Sequence, residues 1–177
     1  MRRFALLLAM VVVAGPTLAQ KVLPEFLIQS VAGPLELRYV DFAWNQEGFD
    51  AMQSGANHPA AGRNWMLAVL RLRNPVCFQG RTLPVGASLL ILDPKHGATP
   101  MSFEIRDVDM RDMDIKPNVI GLPPKGDTIK IVPANFEKVA DTKGRLEIVA
   151  AEDGPDTLVA ILFGDRKATL RFTPRCE

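Results

Sequence analysis

This chain of 177 residues is poor in the side chains that do chemistry. It has two cysteines, Cys77 and Cys176, and two histidines, His58 and His96. No Cys-x-x-Cys spacing lowers a thiol pKa, which argues against a redox-active pair. No Gly-x-Ser-x-Gly elbow surrounds Ser54, Ser88 or Ser102, and no glycine-rich loop is built to cradle a phosphate. Charge of one sign is also lacking, with 21 basic against 20 acidic side chains. That balance does not resemble the footprint of a nucleic-acid binder. Beyond the N-terminus no apolar run is long enough to cross a bilayer. There is no internal repeat.

What is present begins with an export pattern. Arg2 and Arg3 precede an apolar run from Phe4 to Val13, and Thr17-Leu18-Ala19 places small residues where a signal peptidase reads. Residues 1–19 are therefore expected to be a signal peptide, cleaved before Gln20. No cysteine follows the run closely enough for a lipid anchor. The rest, Gln20 to Glu177, is about 158 residues, enough for one domain with a real core. Setting aside Arg2 and Arg3 removes two of the 21 basic residues, which leaves a net charge of −1 against the 20 acidic ones. A periplasmic or secreted location follows, and there a disulfide between Cys77 and Cys176 is the expected state.

Period-two alternation dominates the chain. Leu35, Leu37 and Tyr39 alternate with Glu36 and Arg38, and after Tyr39 the phase slips, as at a bulge. Trp65 to Arg73 and Leu89 to Leu92 are apolar enough for central strands, joined through Gln79 to Gly86. Further strands are expected at Met101–Ile105, Ile129–Ile131 and Leu146–Ile148. Thr157–Phe163 and Ala168–Thr173 form the plainest hairpin, turning at Gly164-Asp165-Arg166. Helical turns are expected only at Gln46–Gln53 and Pro133–Ala140. About nine strands with short turns predict an antiparallel β-sandwich, immunoglobulin-like or jelly-roll-like, with one or two short helical turns, as a single domain over 20–177.

Four acids, Asp107, Asp109, Asp112 and Asp114, lie in one short segment, and close oxygen ligands are what calcium requires. Arg106 and Arg111 sit among them, so a solvated, salt-bridged loop is the competing reading. Met101, Met110 and Met113 follow His96, but Met101 is in phase with the core positions Phe103 and Ile105, which favours packing over copper. No cofactor is expected, with calcium as the alternative.

The irregular stretch Asn45 to Arg63 is long for a compact domain, and such loops are often functional. Trp44 and Phe49 sit where the strand pattern has ended, and His58 and Arg63 lie in the same region. Aromatic and arginine side chains concentrate in binding hot spots, so these four are the candidate ligand or partner residues. A small apolar or sugar-like ligand, or a protein, fits such a surface; nucleic acid does not. Gly55-Ala56-Asn57, then a strand, then Gly80-Arg81-Thr82-Leu83-Pro84-Val85-Gly86 leading into another strand, resembles a family of small exported bacterial β-domain proteins. The resemblance covers about a quarter of the chain and implies location and a β fold, and no reaction. The leading functional expectation is a non-enzymatic binding or interaction domain. A calcium-stabilised β module is the first alternative, and a hydrolase centred on His58 the second.

Overall fold

The structure, a computed structural model, describes residues 28–56, 64–96, 98–107 and 126–176. Its strands are β1 (Ile28–Ala32), β2 (Leu35–Tyr39), β3 (Trp65–Leu72), β4 (Val76–Phe78), β5 (Arg81–Leu83), β6 (Gly86–Asp93), β7 (Ser102–Asp107), β8 (Thr128–Pro133), β9 (Glu137–Asp153) and β10 (Asp156–Thr173). One helix, α1 (Gln46–Ser54), lies between β2 and β3. The strands make two antiparallel sheets, in the orders β1-β2-β3-β6-β7-β8 and β5-β4-β10-β9. The expected mainly-β antiparallel sandwich is what forms. Its larger sheet has a meander order, and between β3 and β6 the chain crosses to the smaller sheet as β4 and β5.

The meander turns its alternating apolar residues inward. Leu35, Leu37 and Tyr39 face the core, while Glu36 and Arg38 take the other face. In β3 the register with β6 shifts between Met66 and Ala68. That bulge puts Trp65 and Leu67 into the core on one phase and Ala68, Leu70 and Leu72 on the other. Met66, Val69, Ala87, Leu89 and Ile91 form a second buried cluster on the opposite face. Both faces of β3 and β6 are thus buried, which is why these strands are nearly continuous apolar runs. Two ion pairs flank the second cluster, Arg38–Glu36 at 2.6 Å and Arg106–Glu104 at 2.8 Å.

β10 is a long extended run, and it is not straight. Arg171 donates to Asp156 at 2.6 Å and to Asp153 at 2.9 Å. A straight strand would separate residues 156 and 171 by about 50 Å. The run therefore doubles back, at Gly164, whose φ of +62° is its one positive value. Val159, Ile161 and Phe163 on the first arm and Ala168, Leu170 and Phe172 on the second are all buried. The first arm pairs with β9; the second pairs with the start of β9 next to the turn, through Arg166↔Lys138 and Lys167↔Glu137, and with β4 further on, through Phe172↔Phe78 and Thr173↔Cys77. This is the hairpin expected from the sequence.

Two expectations are corrected. Pro133–Ala140 is not a helical turn. Pro133 ends β8, and the Ala134 amide still donates to the Met101 carbonyl at 2.9 Å, which keeps the chain extended until β9 begins at Glu137. The connection Gln79–Gly86 also contains a strand, β5, entered by a two-residue turn at Gln79-Gly80 in which both residues have positive φ.

The short β4–β5 corner is closed covalently by the Cys77–Cys176 disulfide. The other edge of the smaller sheet, β9, is closed by side chains and a crossing segment. Ala150 donates its amide to Ser30 Oγ at 2.8 Å, and Glu152 accepts the Gly33 amide at 3.1 Å. The Ile148 backbone hydrogen-bonds the buried Tyr39 phenol, whose pKa burial pushes up.

Candidate functional site

The phase slip after Tyr39 marks a change of sheet. Asp41 to Trp44 leaves β2 and runs beside β9, with Leu146 donating to the Phe42 carbonyl at 2.9 Å and Trp44 donating to the Gly144 carbonyl at 3.0 Å. Arg145 holds the crossing from its charged end. Its guanidinium pairs with the Asp41 carboxylate and donates to the Asp41 carbonyl at 2.8 Å.

Helix α1 starts directly after the crossing. Asn45 is extended (φ −135°, ψ 102°), and its Oδ1 accepts from the Gly48 amide at 2.9 Å, an N-cap. Phe49 and Met52, three apart, share the inward face and are fully buried, while Gln46, Glu47, Asp50 and Gln53 face out. Gly55, in the left-handed region, closes the helix by donating to Ala51 at 2.8 Å. The C-terminal end is tied to the chain after β6 by Lys95, whose amide donates to the Met52 carbonyl at 2.9 Å.

These elements bring together a set of rings. Trp44 lies 5.2 Å from Phe49 and 4.6 Å from Phe163, centroid to centroid. Phe42 lies 4.9 Å from Phe163 and 5.3 Å from Trp65, and Phe136 lies 5.1 Å from Phe49. Most of these meet edge to face, the arrangement the ring quadrupole favours. The indole of Trp44 occupies the space a side chain at residue 164 would take. A Cβ built on Gly164 would fall 2.1, 2.4 and 2.5 Å from three indole atoms. Phe49 and Phe163 are sealed within, whereas Phe42, Trp44 and Phe136 are half-buried and reach the surface.

The rim is charged and mixed in sign. Lys143 lies 3.0 Å from Asp141 and 3.2 Å from Glu147, and those hydrogen bonds, Asp141 first, raise its pKa. Asp165 lies 3.4 Å from Lys138 and 3.3 Å from Arg166. An aromatic floor with an ionic rim has the anatomy of a binding hot spot.

Of the four expected binding residues, the structure brings Trp44 and Phe49 together. Phe49 lies beneath the surface, packed under the half-buried Trp44 indole. His58 and Arg63 lie outside the described residues, as do Asp109, Asp112 and Asp114. Asp107 is exposed at the end of β7, where its amide donates to Asp127 at 2.8 Å. Among the described residues no three His, Cys, Asp or Glu side chains converge to hold a metal ion. Met101 is buried in the core, in phase with Phe103 and Ile105. Nε2 of His96 sits 3.5 Å from Asp93, whose carboxyl is pushed up by burial and pulled back by His96. Among the described residues no helix is long and apolar enough to cross a membrane.

Sequence reasoning missed Phe136, Gly164 and Arg145 as parts of this corner. Phe136 was hidden by the helical signal of Pro133. Arg145 carried no signal beyond its charge. Comparison with protein-family models, with curated proteins and with solved structures gave no match.

Proposed function

We propose that the protein is an exported, non-enzymatic binding domain whose contact surface is the corner formed by Phe42, Trp44 and Phe136. The observation that carries this reading is the half-buried Trp44 indole, laid on the Gly164 backbone and backed by Phe49 and Phe163. Support of this kind holds an aromatic anchor in one orientation before a ligand arrives, which lowers the entropic cost of binding. The ionic rim around it supplies orientation rather than affinity. Export is supported by the basic and apolar pattern of residues 1–19, and the disulfide fits an oxidising compartment.

The occupant is a small apolar or sugar-like ligand, or an apolar segment of a protein. The test is native mass measurement on protein purified from the periplasm without chelator, for the wild type and for a Trp44→Ala, Phe136→Ala variant. A bound species that the double variant loses, while its near-ultraviolet circular dichroism stays folded, supports the site. Equal retention by both proteins moves the site elsewhere. The same spectrum decides the calcium alternative, because a stoichiometric calcium adduct would show as added mass.

A further inference from the structure

The outer strands of the two sheets are finished differently. β1 and β9 cover one another, through Ser30 with the Ala150 amide and Glu152 with the Gly33 amide. β5 is three residues long and lies beside the disulfide that anchors its neighbour β4. β8, the last strand of the larger sheet, pairs with β7 on one side only among the described residues. β5 comes close to it without forming a ladder. Thr128-Ile129-Lys130-Ile131-Val132 is rich in β-branched residues, and Ile131 is 55% exposed, unlike the buried isoleucines of the core.

The register with β7 decides which backbone groups β8 turns outward. The Ala134 amide donates to the Met101 carbonyl at 2.9 Å, which makes these two a hydrogen-bonded pair. Antiparallel ladders alternate, so the next such pairs are Val132↔Phe103 and Lys130↔Ile105. The register shifts beyond Ile105, which ends the regular stretch at Lys130. Within it, Ile131 and Pro133 direct their backbone polar groups away from β7. Proline has no N–H, so Ile131 supplies the outward donor of this stretch. An edge of this kind is a template for a further extended strand.

We infer that this edge is a self-association surface, and that two copies pair β8 with β8, antiparallel, about a two-fold axis at Ile131. The edge's own residues disfavour the neighbouring registers. An axis at Lys130 would set two ammonium groups opposite one another. An axis at Val132 would set Ile131 against Pro133 of the second copy, which has no donor for the Ile131 carbonyl. An axis at Ile131 lets each Ile131 donate to and accept from the other, and it stacks the two exposed side chains. Lys130 then lies opposite Val132 of the second copy, along which its stem can run. Lysine and proline guard natural edges against indiscriminate pairing. Here they narrow the choice to one closed, two-fold register. A contact this short makes a weak, reversible dimer. Nothing in the pairing draws on the Trp44 corner.

The test is sedimentation velocity of the purified wild-type chain from about 10 µM to about 1 mM, the span over which small, weak interfaces fill. A monomer–dimer transition is expected. Ile131→Lys should abolish it by placing like charges face to face, and should leave the melting temperature of the monomer unchanged. Ile131→Pro should abolish it too, by removing a donor that β7 does not use. Oxidation of an Ile131→Cys variant should give a dimer linked between the two residues 131, identified by peptide mass. Val85→Cys, at a position 57% exposed, should not cross-link. A chain that stays monomeric throughout would overturn the proposal. So would a dimer that Ile131→Lys leaves intact, because another face then makes it. Cross-linking through Lys130→Cys in place of Ile131→Cys would move the axis and overturn the register. A monomer that carries a different polypeptide, lost on Ile131→Lys, would give the edge to a foreign strand and overturn self-pairing. Loss of native cargo from the Trp44→Ala, Phe136→Ala variant bears on the corner alone.

Discussion

Two corners of the sandwich are built from aromatic pairs, and they are secured in opposite ways. At the β4–β5 corner, Phe78 stacks on Phe172 at 4.9 Å, the ladder to β10 is two residue pairs long, and Cys77–Cys176 closes it covalently. At the Trp44 corner the rings are more numerous, and nothing covalent holds the crossing segment or α1. The stapled corner joins chain parts 99 residues apart, a loop whose closure contributes about 4–5 kcal/mol in the chain-entropy account. The Trp44 corner relies on ring packing and backbone hydrogen bonds. The contrast teaches that one sandwich secures one aromatic corner with a covalent bond and the other with non-covalent contacts.

Breaking the staple should have the largest effect. Cys77→Ala, Cys176→Ala is expected to lose about 2–5 kcal/mol in urea unfolding while leaving the Trp44 environment unchanged in fluorescence. A loss of the Trp44 signal in the native baseline would show the two corners to be coupled. Next come two buried phenylalanines that differ in their attachment. Phe163→Ala should cost about 3–5 kcal/mol. Phe49→Ala should cost less, because the short helix α1 that carries it is joined to the sheets by few contacts and can open locally. Equal losses from the two substitutions would contradict a separable α1.

Gly164→Ala is smaller and more specific. The added methyl collides with the indole and occupies a left-handed position, at a cost of about 1–3 kcal/mol. Trp44 should move outward, red-shifting its emission and weakening capture of cargo. Emission unchanged from wild type would mean that the indole is not seated on that backbone.

The smallest effect concerns Asp93. Burial raises its folded pKa above 3.8, so its contribution favours the fold at low pH and is lost as pH rises through the folded value. Asp93→Asn should remove that dependence. The variant should gain relative to the wild type between pH 4 and pH 7 (about the carboxylate titration range). A relative loss over that interval in paired thermal melts would reverse the assignment and mean that the His96 contact outweighs burial.

The architecture was legible because alternation is a local signal. Leu35 to Tyr39 and Met101 to Ile105 show their faces in their own residues, and the two phases around Gly164 announce the β10 hairpin. The change of sheet after Tyr39 was visible only as a slipped phase, since bulge and crossing look alike without the partner strand. Trp44 and Phe49 were legible as a pair because they interrupt the pattern. Their relation to Phe136 and Gly164 was not, because contacts across 87 to 120 residues of sequence leave no periodic trace. Arg106, at the start of the acidic segment, pairs with Glu104 at 2.8 Å, while Asp109, Asp112 and Asp114 lie outside the described residues.

The most direct test uses the small number of tryptophans. In a Trp65→Phe variant, Trp44 is the sole indole and reports the corner alone. The measurement is its emission during titration with cargo recovered from the native protein. A binding corner at Trp44 predicts a saturable change in that emission. Emission that stays constant while the same cargo binds would place the binding surface elsewhere on the sandwich.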